Sequence, residues 1–232
     1  MAIAAGPTGK GGVVSEGIWV FLHILLLVYW LGADLGVFIL ARAARRSDLS
    51  FDQRALLLKY GMIIDQLPRI CFALMLPVGL HLVDAAGYGD VPVWLLTASW
   101  AVAAAWLWLL HALGKSEGTP RQQQLNKANL AGQAVFGTVV TAVGLALLLG
   151  YGPHVAPWLA LKVLLFGLIF YCAIMIDVEF RPIVPAFVRL ATEGSKPDIE
   201  AVITRTVDRA VWWVLAIYAL VVVITFLGAV KP

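Results

Sequence analysis

Long apolar stretches separated by short polar connections dominate the chain. Six of them run at about residues 17–41, 60–83, 92–113, 130–150, 157–180 and 210–230. Each can cross a hydrocarbon layer of ~30 Å as a helix, which takes roughly 20 residues. Segments such as Leu145-Ala146-Leu147-Leu148-Leu149 are apolar on every side, as in a helix that faces lipid or other helices. A transmembrane barrel needs strict alternation of apolar and polar positions, and the stretches do not alternate. The pattern therefore predicts an all-α polytopic membrane protein. Six transmembrane helices form a bundle, and residues 1–232 make one integral membrane domain. The longest polar connection, 181–209, holds Pro182, Pro185, Gly194, Ser195 and Pro197, and is expected to be a short surface helix or a loop. The first 16 residues are Gly-rich and expected to be mobile. Ala41-Arg42-Ala43 looks like a signal-peptidase site, but the apolar region before it is too long and carries a His and an Asp.

Two of the hairpins resemble each other. Val78-Gly79-Leu80-His81-Leu82 is followed by Gly87-Tyr88-Gly89 and Val93-Trp94-Leu95. Val143-Gly144-Leu145-Ala146-Leu147 is followed by Gly150-Tyr151-Gly152 and Pro157-Trp158-Leu159, at an offset of 63 to 65 residues. Spans two–three and four–five thus read as a parallel duplication of one helical hairpin. Gly-Tyr-Gly turns and interfacial tryptophans also arise independently. The copies differ where chemistry is at stake. His81 aligns with Ala146, and Lys162 with Ala98.

Composition narrows the class further. Of 232 residues, 61% are hydrophobic and 13% charged, which excludes a disordered chain, a soluble enzyme and a disulfide scaffold. A net charge of +3 does not signal nucleic acid, because the basic residues follow the membrane pattern. Of the 17 Lys and Arg, 13 lie in the connections between spans one and two, three and four, and five and six. Those connections are expected to be cytoplasmic, with both termini outside, in a bacterial inner membrane. The lipid bilayer is the first partner implied. Cys71 and Cys172 lie within apolar stretches and read as small core residues.

Ionisable side chains inside spans cost free energy unless paired, so each is a candidate site. With the orientation above they form two layers. His23, His81, His154 and Lys162 lie toward the outside. Asp34, Asp65, Arg69, Asp177 and Glu179 lie toward the inside, with Arg181 just beyond and His111 apart at the end of span three. His23, Trp30 and Asp34 share one helical face. Asp65 and Arg69 are four apart, suited to neutralise each other. His81 points away from Asp65 unless Pro77 bends the helix. The inner cluster reads either as structural pairs at the interface or as a proton path. A di-metal carboxylate site lacks its Glu-x-x-His pattern. In the outer layer, His23 and His81 at similar depth on separate helices suit a bis-imidazole haem b. With His154 as a third nitrogen ligand they also suit copper or another metal. Histidines that merely hydrogen-bond to neighbours remain the third reading.

Leu22-His23-Ile24 with Trp30-Leu31-Gly32 resembles the first span of a superfamily of small membrane proteins. It includes the copper-resistance D proteins and the HemJ-type protoporphyrinogen oxidases. Gly144-Leu145, Trp158-Leu159-Ala160-Leu161-Lys162 and Leu67-Pro68-Arg69-Ile70 are similar to other motifs of that superfamily. The resemblance implies a helical bundle and a haem b held through His23, with Lys162 as the other polar position. The function expected is electron transfer, or oxidation of a quinone- or porphyrin-type substrate. His23 and His81 would be axial ligands, and Arg69 or Lys162 would hold a propionate or an anionic substrate. Two other functions stand beside it. One is copper or metal transport through His23, His81 and His154. The other is a non-catalytic subunit, within a homo-oligomer or a larger membrane complex.

Overall fold

The computed structural model describes residues 10–116 and 118–232, with side chains from Val14 onward. Within them the chain is helical and contains no strand. The helices are α1 (Lys10–Ala44), α2 (Phe51–Ile64), α3 (Gln66–Ala85), α4 (Val93–Lys115), α5 (Pro120–Leu148), α6 (Pro157–Glu179), α7 (Ile183–Glu193) and α8 (Pro197–Val230). Among the described residues, six helical stretches are long and apolar enough to cross a membrane. The protein is an integral membrane protein. Its exposed surface carries Val14, Ile18, Phe21, Ile24 and Val28 of α1, a display that suits lipid rather than water.

Three boundaries differ from the sequence pattern. Residues 10–16 continue α1 instead of forming a mobile lead; residues 1–9 lie outside the described part. The second span is two helices, α2 and α3, parted at Asp65. Asp65 caps α2 through its own N–H to the Gly61 and Ile63 carbonyls. Pro68 then falls in the first turn of α3, where a missing N–H costs nothing. The connection 181–209 is mostly helix. α7 occupies its first half, Gly194 ends that helix with φ 77°, and α8 begins at Pro197. α8 has 34 residues, or roughly 50 Å, so it extends well beyond a bilayer core of ~30 Å.

By contacts the chain divides into two compact units, with α1 and α5 contributing to both. The first takes in the chain to Gly32, Leu67–Asn129 and Pro153–Ala156. Its core is aromatic. Trp30 of α1 meets Phe72 of α3 with ring centroids 5.0 Å apart, and Phe72 meets Trp106 of α4 edge-on at 5.6 Å. The Trp106 indole N–H donates to Asn129 Oδ1 at 3.2 Å, so this half-buried ring has its polar end satisfied.

The second unit holds Ala33–Gln66, Leu130–Gly152 and Pro157–Pro232. Here α6 packs along α8, α7 along α8, and α5 against α6. Small residues set the α5–α6 spacing. A Cβ on Gly144 would overlap the backbone of Leu164, and one on Gly167 would overlap Thr141. A Cβ on Gly137 would stand 2.5 Å from Cβ of Phe170. Close backbone approach of this kind is how membrane helices gain dispersion contact without a hydrophobic drive between them. Beyond the apolar spans, Ala44, Leu58, Ile183, Ala186, Phe187, Leu190, Ile199, Ile203 and Val207 form a separate buried cluster. Ile183, Ala186, Phe187 and Leu190 lie on one face of α7, at the spacing an amphipathic helix requires.

The two Gly-Tyr-Gly turns are built alike. In the first, the N–H groups of Ala86, Gly87 and Tyr88 donate to the carbonyls of Leu82, Asp84 and Val83. In the second, Leu149, Gly150 and Tyr151 donate to Leu145, Leu147 and Ala146, the same pattern moved by 63 residues. Gly87 and Gly150 sit at φ 67° and 82°, a left-handed conformation in which a Cβ would be strained.

Candidate functional site

α1 and α3 run antiparallel in the first unit, and the candidates His23 and His81 lie along their seam. His23 is half-buried, and its Cε1 lies 3.4 Å from where a Cβ on Gly79 would stand. Toward the start of α1 and the end of α3, Trp19 stacks on His81. Their centroids are 4.2 Å apart and their planes 5° from parallel. In the other direction, Trp30 meets Phe72. Each step along α1 is thus matched by a similar step back along α3. His23 and Trp30 share a face, as their spacing predicts.

His81 has a second partner. The indole N–H of Trp100, on α4, donates to His81 Nε2 at 3.0 Å. Indole is only a donor, so Nε2 carries the lone pair and the ring proton is assigned to Nδ1. His81 is therefore held by an indole face and an indole N–H at once. His154 is exposed on the segment before α6, and its neighbour Val155 lies 3.7 Å from where a Cβ on Gly89 would stand. Among the described residues, no group of three or more His, Cys, Asp or Glu side chains is gathered closely enough to hold a metal ion.

These positions bear on haem b as a ligand of the seam. His23 is the imidazole on the α1 side of the seam, and Gly79 is the α3 residue that faces it. His81 does not suit the second axial role as arranged, because Trp100 occupies the lone pair an iron would take.

The remaining candidates are distributed. Lys162 belongs to the second unit. Its Nζ lies over the Trp158 ring at 5.9 Å and 2.5 Å from where a Cβ on Gly228 would stand. Asp34 is half-buried on α1, with Tyr218 of α8 as its neighbour. Asp65 closes α2, whereas Arg69 lies in the first turn of α3 and belongs to the first unit. Asp177 is half-buried on α6, and Glu179 at its end stands 3.6 Å from Arg209 Nη1. His111 is exposed on α4. Cys71 and Cys172 are both buried and free, as core residues should be.

A polar centre in the second unit was not visible in the sequence. Arg54 of α2 is 1% exposed and forks onto Glu200 of α8, with Nη1–Oε1 2.8 Å and Nη2–Oε2 2.9 Å. Its Nε donates to the Ala44 carbonyl at the end of α1 at 2.8 Å, and its guanidinium lies 5.7 Å from the Phe187 ring centroid. Ser195 Oγ donates to the same carboxylate at 2.7 Å. Hydrogen bonds from Arg54, and secondarily from Ser195, hold the Glu200 carboxyl below the usual range despite its burial. Nearby, Arg189 bridges Glu193 and Asp198, and Lys196 also reaches Glu193. The Glu193 carboxyl is pulled down to about 2. This cluster ties α2, the end of α1, α7 and the start of α8 to one another. Only Ser195 before α8, with Pro197 at its first position and Asp198 and Glu200 in its first turn, signalled a helix start here.

Comparison with protein-family models, with curated proteins and with solved structures finds no match for this chain.

Proposed function

We propose that this protein is a haem-linked membrane redox protein, resembling the copper-resistance D and HemJ-type superfamily, with the α1–α3 seam as its site. The observation that carries this reading is the meeting of Trp19 and His23 with Gly79 and His81 in one helical register. When bound, haem b would supply one-electron chemistry to a quinone- or porphyrin-type substrate. The chain's own contribution is to present His23 as ligand, to make room for it at Gly79, and to keep water away with indole rings. Arg69, in the same unit as the seam, remains the cation proposed to hold a propionate, and Lys162, in the other unit, remains a cation proposed for an anionic substrate. The proposed location is a bacterial inner membrane with both termini outside, a reading supported by the 13 basic residues of the alternate connections. The parallel duplication of the hairpin belongs to the same proposal and is supported by the matching turns.

A reduced-minus-oxidised visible spectrum of the detergent-purified protein tests it. The expected result is a b-type spectrum that His23→Ala abolishes. A protein that stays colourless after expression with added haem overturns the reading. Metal bound in the absence of haem would favour copper transport through His23, His81 and His154. A stable co-purifying membrane partner, with neither ligand, would favour a subunit role.

A further inference from the structure

We propose that α7 and the first half of α8 form a seat for the headgroup of an anionic phospholipid, with Arg181 and Arg205 as its cations. The seat lies wholly within the second unit and does not depend on haem. Level, charge and shape define it.

Two helices mark the level of the lipid–water boundary. α6 ends at Glu179, and α8 is apolar from Ala210 onward. Glu179 stands 3.6 Å from Arg209 Nη1, so the two boundaries lie side by side. Trp212, 73% exposed, follows within a turn, as interfacial aromatics do. Beyond this level α7 runs back along α8 until Arg189 meets Asp198. Arg205 comes one turn, ~5 Å, before Arg209, and Arg181 comes two residues, at most ~7 Å, after Glu179. Both arginines therefore stand at the boundary.

The carboxylates of α7 and α8 are already engaged. Glu193 and Asp198 pair with Arg189, Glu200 with Arg54, and Asp208 with Arg45. Arg181 and Arg205 are exposed and, among the described residues, make no ion pair or side-chain hydrogen bond. A guanidinium at a lipid boundary meets phosphate, which it grips by paired bonds.

The shape favours a lipid over a free anion. Pro182, Pro185, Ala186 and Arg189 of α7 line a cleft of about 260 Å³ together with Ile199 and Val202 of α8. From Val202, the residues Arg205, Arg209 and Trp212 follow at spacings of three, four and three, so one face of α8 leads from the cleft into the bilayer. The phosphate lies on the arginines and the acyl chains run past Trp212. The part of the headgroup beyond the phosphate enters the cleft.

The test titrates the full-length protein in detergent with phosphatidylglycerol or phosphatidylcholine and counts bound lipid by native mass spectrometry. One variant combines Arg181→Gln with Arg205→Gln. A second, Val202→Glu, puts a negative charge in the cleft. A third combines Lys115→Gln with Arg121→Gln and removes as much charge from another connection. Wild type is expected to prefer phosphatidylglycerol, and the affinity to fall roughly fivefold for each arginine removed. It should fall in Val202→Glu as well and stay unchanged in the Lys115 and Arg121 variant. No preference for phosphatidylglycerol, or no loss in the arginine variant, overturns the seat. Equal loss in both double variants also overturns it, because diffuse charge responds in that way. Displacement of the lipid by inorganic phosphate would reveal a site for free anions and overturn the lipid assignment. Loss in the arginine variant without loss in Val202→Glu would overturn the part given to the cleft. Gel filtration and melting temperature of each variant separate these outcomes from misfolding.

Discussion

Arg54 shows what a single buried charge demands of a membrane protein. Its guanidinium uses both nitrogens of the fork on Glu200 and its Nε on the Ala44 carbonyl. Removing one partner of such a pair leaves the other uncompensated, which costs about 3–5 kcal/mol when both are buried. Glu200 is 17% exposed, so Arg54→Ala is expected near the lower end of that range. Arg54→Lys should recover only part of the loss, since an ammonium cannot make the two parallel bonds. Thermal unfolding in detergent measures both. The pH dependence has a definite sign. Glu200 titrates lower in the folded protein than its ordinary 4.5, so its contribution is fully present above that value. It is lost as pH falls through the lowered folded value. Melting temperature should therefore be flat in this respect from about pH 7 to 5 and decline below. A decline that begins near neutrality would point to a histidine instead.

At the scale of elements, glycines mark where helices touch. Gly144 and Gly167 face backbone or the stem of Thr141, which cannot move aside. Alanine at either position should separate α5 from α6 and destabilise the protein by about 1–3 kcal/mol, as overpacking does. Gly228 differs, because the atom in the way is the far end of the flexible Lys162 side chain. Gly228→Ala should therefore cost clearly less, and comparing the three melting temperatures checks the ranking. Much of this level was legible in the sequence. Length and hydropathy placed the six spans, because a helix crossing lipid must be apolar throughout. The Gly-Tyr-Gly repeat located two turns that share one hydrogen-bond pattern. The spacing of His23 and Trp30 placed them on one face. The break at Asp65 was hidden because both sides of it are apolar, although Pro68 marked a helix start. Trp100 and His81 lie on different helices, and Arg54 and Glu200 are 146 residues apart, so neither pair leaves a spacing to read.

For the whole molecule, the distribution of cations makes a claim about direction. The basic connections and the Arg54 cluster belong together in sequence with α7 and the start of α8. The proposed orientation puts them in the cytoplasm. A reporter active only in the cytoplasm should be silent when fused after Pro232 and active when inserted near Ser195. The reverse pattern would invert the protein in the membrane and turn His23 and His81 toward the cytoplasm.

The Arg54 fork also has a history in time. During synthesis Arg54 emerges 146 residues before Glu200, a gap of about 7–30 s at ordinary translation rates. Until the last helix arrives, the nascent chain carries an arginine whose carboxylate does not yet exist. Closing that fork is therefore a sign that α8 has been made. A ribosome that stops before α8 releases a product that lacks the partner for its own second helix.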